Sequence, residues 1–204
     1  MILRTLSLGG KSLPFFYEKL YPSDFFTILR QMRGHKFDAS LILGTADRCR
    51  FGCPRVIVCS PLRMLTPFPT SFWLTCPWLA RFVGTIESGG GVGELEHWIE
   101  RYAPHAWIPF NMEHQRIRLA LLPETALNFL RRCVPSVFRR LRGGGVGGIR
   151  YDTKTRRVRV KCIHLQAASW LALRHHPGSA WLEAQNMRQD CRGGMKDFCD
   201  HSIP

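Results

Sequence analysis

The sequence predicts an α+β protein, a small and mainly antiparallel sheet packed against several helices in a single compact domain. Three observations predict it. Two β-branched or aromatic runs, residues 55–60 (R-V-I-V-C-S) and 70–75 (T-S-F-W-L-T), are joined by a link with prolines at 61, 67 and 69, as in a hairpin with a stiff connection. Stretches with apolar residues at three- and four-residue steps follow, each bounded by proline or glycine. Finally, 204 residues with 45% hydrophobic and 11% aromatic content suffice to bury a core without covalent staples.

Residues 1–21 are interrupted by Gly9, Gly10 and Pro14 and are expected to form a peripheral arm ahead of a core domain over 22–187. The first helix is expected over 24–33, capped by Ser23, with Phe25, Phe26, Leu29 and Met32 turned inward and Gly34 ending it. Residues 39–44 read as a short strand, 50–54 as a turn, and 55–60 and 70–75 as paired strands. Cys76-Pro77 then changes the period. Proline suits the first helical position, which places Cys76 at the N-cap of a helix running from Pro77 to about Ser88.

A short helix is expected over 94–102, stopped by Pro104, and another from Asn111 to about Leu122. Residues 124–142 carry Leu127, Leu130, Val134, Val137, Phe138 and Leu141 on one face, with a break at Pro135. The run G-G-G-V-G-G at 143–148 lacks the lysine and hydroxyl residue of a phosphate loop and reads as a linker. R-V-R-V-K at 157–161 alternates basic and apolar residues, as in a strand with one wet face. Cys162 opens a helix with Ile163, Ala167, Trp170 and Leu171 inward, ended by His176-Pro177-Gly178, and a last short helix lies within 181–187. Residues 188–204 are expected to be a frayed tail.

Net charge is +14, and most of the excess lies between Arg131 and Lys161. Such a field suits an anionic partner, nucleic acid or a phosphate-containing ligand, and equally a plain solvated surface on a basic protein. No run of about 18 apolar residues occurs, so no membrane span is expected. The start lacks the pattern of an export signal, and the expected location is the cytoplasm. In that compartment the eight cysteines are buried, metal-bound or reactive rather than bridged.

Four segments recur in a recognisable order: C-R-F-G-C-P-R-V-I from Cys49, P-F-P-T-S-F-W-L-T-C-P from Pro67, I-E-S-G-G from Ile86 and V-K-C-I-H from Val160. Together they resemble the bacterial family catalogued as domain of unknown function 501, over roughly residues 25–178. The resemblance implies a small cytosolic protein without an established activity. Cys49, Gly52, Pro54, Pro67, Pro69, Thr70, Cys76, Pro77, Lys161, Cys162 and His164 fit the family pattern. A further histidine of that pattern, about one turn after K-C-x-H, is replaced here by the stretch containing Gln166, Ala168 and Ser169.

Three chemistries suit these residues. Cys49, Cys76, Cys162 and His164, three sulfurs and an imidazole, suit tetrahedral zinc, and three cysteine elements suit an iron–sulfur cluster, although no C-x2-C pair is present. Alternatively, Cys76 or Cys162, each expected at a helix N-terminus that stabilises a thiolate, is a nucleophile with His164 as base or acid, and Arg157, Arg159 and Lys161 hold an anionic substrate. The third is a nucleic-acid or ribonucleoprotein binding module built on the basic stretch. Against all three stands the ordinary fate of free cysteines, which is burial.

Overall fold

The computed structural model describes residues 3–68, 70–143, 158–187, 190–191 and 199. Among them, five antiparallel strands form one sheet: β1 (Leu3–Leu8), β2 (Lys11–Glu18), β3 (Ile42–Arg48), β4 (Pro54–Cys59) and β7 (Phe72–Leu74), in that spatial order. A small separate hairpin, β5 (Leu62–Arg63) with β6 (Thr66–Pro67), fills the proline-rich link before β7. The α+β architecture and the antiparallel pairing of β4 with β7 are as expected.

All six residues of β4 are buried, and their alternation explains the layering. Val56 and Val58 point into the main core, whereas Ile57 and Cys59 point to the opposite face, against Ile28 and Met32. Helix α1 (Pro22–Gln31) covers that second face. The main core is built around α7 (Ile163–Leu173), in which Ile163 and every residue from Leu165 to Ala172 are buried. A helix apolar on all sides has to sit in the middle of a protein. Helix α2 (Pro77–Ser88) packs along α7, and α3 (Gly91–Tyr102) and α4 (Pro104–Ala120) continue the helical layer. Helices α5 (Glu124–Cys133) and α6 (Pro135–Arg142), split at Pro135, bury Leu127, Leu130, Val137 and Leu141 in a smaller cluster. Helix α8 (Ser179–Ala184) follows α7.

Residues 3–18 form part of the sheet rather than a peripheral arm. β1 and β2 form a hairpin whose two-residue turn is Gly9-Gly10, with φ of +57° and +76°. Two left-handed residues in a row match the twist of a tight hairpin, so the glycines that seemed to break the chain make its turn. Leu6, Phe15 and Tyr17 of this hairpin belong to the main core.

The buried face of α1 also differs from expectation. Asp24, Thr27, Ile28 and Gln31 face inward, while Phe26 is 55% and Leu29 40% exposed. The reason is electrostatic. Asp24 accepts two hydrogen bonds from Arg48, both at 2.7 Å, and one from the Tyr21 N–H at 2.9 Å. A bidentate arginine pair with a backbone cap turns the helix about its axis. Asn111 lies inside α4 rather than at its start; its amide donates to the Trp107 carbonyl, and the helix begins at Pro104.

Residues 158–161 keep the expected alternation, with Val158 and Val160 buried and Arg159 and Lys161 exposed, but they pair with no strand among the described residues. Carboxylates replace the missing ladder: Glu100 accepts the Val158 N–H at 3.3 Å and Glu96 the Val160 N–H at 2.7 Å. Arg157, the linker at 144–148 and most of the expected tail lie outside the described residues. No described helix is long and apolar enough to cross a membrane.

Candidate functional site

Two cysteines sit where the sequence placed them, at helix N-caps. Cys76 precedes Pro77 of α2, and Cys162 precedes Ile163 of α7. A helix start offers unpaired N–H groups and a positive dipole end, which favour a thiolate. Burial works against it and wins at both positions. Desolvation pushes the Cys76 thiol up to about 11, despite a hydrogen bond from the Leu79 backbone, and also raises that of Cys162. Both are therefore neutral thiols at pH 7, the reverse of the activated nucleophile expected.

The N-terminus of α7 already has its anion. One carboxylate oxygen of Glu87, in the last turn of α2, accepts the backbone N–H groups of Ile163 at 2.5 Å and His164 at 3.2 Å. The same oxygen stands 3.1 Å from Nδ1 of His164, and Nε2 of that ring lies 3.0 Å from the Ala80 carbonyl. Both ring nitrogens are thus spoken for. Each nitrogen faces a protein oxygen. No acid partner for His164 is legible from local spacing; Glu87, in the I-E-S-G-G segment, becomes one through the fold.

Beside this junction opens a cleft of about 650 Å³ between the end of α1, β7, α2 and the start of α7. Its apolar walls are Met32, Phe72, Trp73, Leu74 and Leu165. Its charged or titratable side chains are Arg33, His35, Arg81, Lys161, Cys162 and His164, with no aspartate or glutamate in the lining. Arg33 and Arg81 form no ion pair among the described residues. Of the three basic residues expected to hold an anion, Lys161 lines this cleft, Arg159 is exposed beside it, and Arg157 is not among the described residues.

Cys49 does not line the cleft, although its charge, like that of Cys199, is felt at Cys76. It starts the turn joining β3 to β4, held by hydrogen bonds from the Cys49 N–H to the Cys53 carbonyl (3.0 Å) and from the Gly52 N–H to the Cys49 carbonyl (2.9 Å). Its thiol is hydrogen-bonded to that of Cys53, whose single S–H is shared between Cys49 and the Cys199 carbonyl 3.3 Å away. The Gln31 amide reaches Cys199 Sγ at 3.4 Å. The hydrogen bond from Cys53 pulls the Cys49 thiol down to about 6 against its partial burial, helped by the Phe51 and Cys53 backbone N–H groups.

The contacts of the four expected metal ligands fall into two sets, with Cys76 feeling the charge of Cys49. Cys49 sits with Cys53 and Cys199, Cys162 and His164 sit with Glu87, and among the described residues no group of three or more His, Cys, Asp or Glu side chains is arranged to hold a metal ion. Cys53 lies in the first recurring segment without being one of the positions that fit the family pattern, and Cys199 reaches the hairpin only through the fold.

A family model described as "Protein of unknown function (DUF501)" matches residues 45–184, and the chain belongs to that family. No curated protein and no solved structure matches it. The matched span holds the cleft residues from β7, α2 and α7, together with the Cys49 hairpin.

Proposed function

We propose that this member of the domain-of-unknown-function 501 family binds a phosphate monoester with an apolar body in the cleft between α1, β7, α2 and α7. The observation that carries the reading is the lining. Arg33, His35, Arg81, Lys161 and His164 surround an apolar floor, and no acidic side chain stands among them. A volume of about 650 Å³ falls in the range of small-molecule sites and exceeds what inorganic phosphate needs. Phe72, Trp73 and Leu74 then serve the body of the ligand, and the guanidinium and ammonium groups its phosphate.

The helix ends contribute little to this binding. Pro77 has no N–H to offer, and Glu87 occupies the first N–H groups of α7. Recognition rests on side chains, and Cys162 is a neutral wall residue rather than a nucleophile. His164, set between Glu87 and the Ala80 carbonyl, fixes the wall. These features favour a binding module over a thiol-dependent enzyme.

Isothermal titration with phenyl phosphate and with inorganic phosphate tests the reading. Phenyl phosphate is expected to bind more tightly than inorganic phosphate. Arg81→Ala or Lys161→Ala is expected to weaken it about tenfold, or about 1.4 kcal/mol. Equal affinity for both anions, or indifference to both substitutions, contradicts it.

A second reading draws on Arg131, Arg132, Arg139, Arg140 and Arg142, all exposed on α5 and α6. Two of them, Arg131 and Arg142, lie over the Phe138 ring at 5.3 and 5.8 Å. Such a face suits the phosphates of a nucleic acid, and affinity for single-stranded RNA falling steeply with salt is its signature.

A further inference from the structure

Two thiols outside the cleft are acidified through Cys53, Cys49 to about 6 and Cys199 to about 7, and nothing in the binding reading uses them. We propose that Cys49 and Cys53 form a hydroperoxide-oxidised dithiol, closing a disulfide across the mouth of the β3–β4 hairpin.

Backbone register is the first support. Arg48 of β3 pairs with Pro54 of β4, so Cys49 and Cys53 stand next on the ladder, directly opposite one another. The bond from the Cys49 N–H to the Cys53 carbonyl marks them as a facing pair. Facing residues of an antiparallel pair have Cα atoms about 4.5–5.5 Å apart, inside the span of roughly 4.4–6.8 Å that a disulfide bridges. Closure therefore asks no backbone rearrangement of the turn, in which Gly52 already supplies the left-handed residue at φ +80°. The two thiols are in contact in the reduced state, through their mutual hydrogen bond.

The second support is a division of labour between the sulfurs. Cys49 is half-buried and so reachable by a small oxidant, whereas Cys53 is 2% exposed. Three hydrogen bonds favour a thiolate on Cys49, from Cys53 and from the backbone of Phe51 and Cys53, and the charge of Arg55 is felt there as well. Those same contacts, with Cys199 first and Cys49 second, keep Cys53 protonated. An exposed thiolate attacks, and a protonated thiol beside it resolves.

The chemistry balances with a hydroperoxide as oxidant. The Cys49 thiolate attacks the terminal peroxide oxygen, an S–O bond forms, the O–O bond breaks, and the departing oxygen leaves as alcohol or water after protonation. The sulfur of Cys53 then attacks that of Cys49. An S–S bond forms, the S–O bond breaks, and hydroxide leaves with the Cys53 proton as water. Two thiols lose two electrons, and the peroxide gains them.

The proposal is independent of the cleft reading, and its test distinguishes the two. The reduced full chain is treated with one equivalent of hydrogen peroxide, its free thiols are blocked with N-ethylmaleimide, and it is digested with trypsin without reduction. Cleavage after Arg48, Arg50 and Arg55 leaves C-R and F-G-C-P-R, which stay joined only through a Cys49–Cys53 bond. The expected result is that linked pair, with Cys76 and Cys162 recovered as maleimide adducts and phenyl phosphate affinity unchanged. In Cys53→Ser, dimedone labelling of Cys49 is expected to rise at least fivefold. Should that variant fail to fold, the wild-type digest still decides. A disulfide joining Cys53 to Cys199, oxidation that spares Cys49, or a stoichiometric metal released in step with alkylation of Cys49 and Cys53 overturns the proposal.

Discussion

Cys162 sits at the start of a helix and Cys49 in a hairpin turn, and the two environments treat a thiol in opposite ways. At the helix start, burial outweighs the Leu165 and His164 N–H groups that reach the sulfur, the neighbouring Glu87 charge adds to it, and the thiol stays neutral. In the turn, hydrogen bonds aim at a sulfur that keeps part of its surface in water, and the thiol is acidified. A helix terminus is worth about 0.3–1 kcal/mol to a nearby charge, whereas desolvation moves a buried group by several pKa units. What decides reactivity is the balance of donors that reach the sulfur against the water it loses, and secondary-structure position alone does not fix that balance.

The hairpin side of the comparison breaks most severely at Asp24. This carboxylate is 2% exposed and holds Arg48, whose guanidinium also donates to the Gly52 carbonyl at 2.9 Å in the Cys49 turn. Asp24→Ala removes the bidentate partner of a partly buried arginine that keeps Glu18 at 2.6 Å, and urea unfolding is expected to show a loss of about 1.5–3 kcal/mol. The turn should loosen with it, so that Cys49 reverts towards ordinary thiol behaviour while the cleft keeps its affinity for phenyl phosphate.

On the cleft side the equivalent residue is Glu87. Glu87→Ala leaves the Ile163 and His164 N–H groups and the imidazole without their shared acceptor, and a loss of about 1–3 kcal/mol is expected in the same measurement. Glu87→Gln, which keeps one acceptor oxygen, should lose less. If neither variant is destabilised, the carboxylate does not organise the start of α7.

Both regions rest on α7 and therefore share a common acid weakness. His176 is held neutral, accepting the Gly178 N–H on Nδ1 while Nε2 bonds to Gln166 of α7. Burial drives it down to about 3, and burial first, then the neighbouring Arg118 charge, drives His114 well below its ordinary value. An unfolded chain takes up these protons near pH 6.5, before the folded one does. Stability is therefore complete above that pH and falls as pH drops from about 6.5 towards 3, by about 1.4 kcal/mol per pH unit for each histidine. Urea midpoints at pH 7, 6 and 5 measure it, and replacing His114 by phenylalanine should flatten the slope.

The elements most legible in the sequence were those whose signals are local. Proline after cysteine fixed the start of α2, its apolar spacing ran to Ser88, and Pro135 split α5 from α6. Where partners are distant in the chain, local reading failed. Asp24 turned α1 because of Arg48, and residues 158–161 look like a strand but are held by Glu96 and Glu100 of α3. Gly9-Gly10 was a local signal misread, since the same dipeptide that interrupts a helix closes a hairpin. The site shows the same split. Cys76, Cys162, His164 and Lys161 carried recognisable spacing, whereas the grouping of Cys49 with Cys53 and Cys199, and the binding of His164 by Glu87, depend on tertiary contacts.

The most direct test of this division is the alkylation rate of each cysteine at pH 7, followed by mass spectrometry with iodoacetamide in the presence and absence of phenyl phosphate. The expected result is that Cys49 reacts first, at a rate indifferent to phenyl phosphate, while Cys162 reacts slowly and more slowly still when the cleft is filled. Fast alkylation of Cys162 with a slow Cys49 would contradict the account, because it would return the reactive thiol to the helix N-terminus.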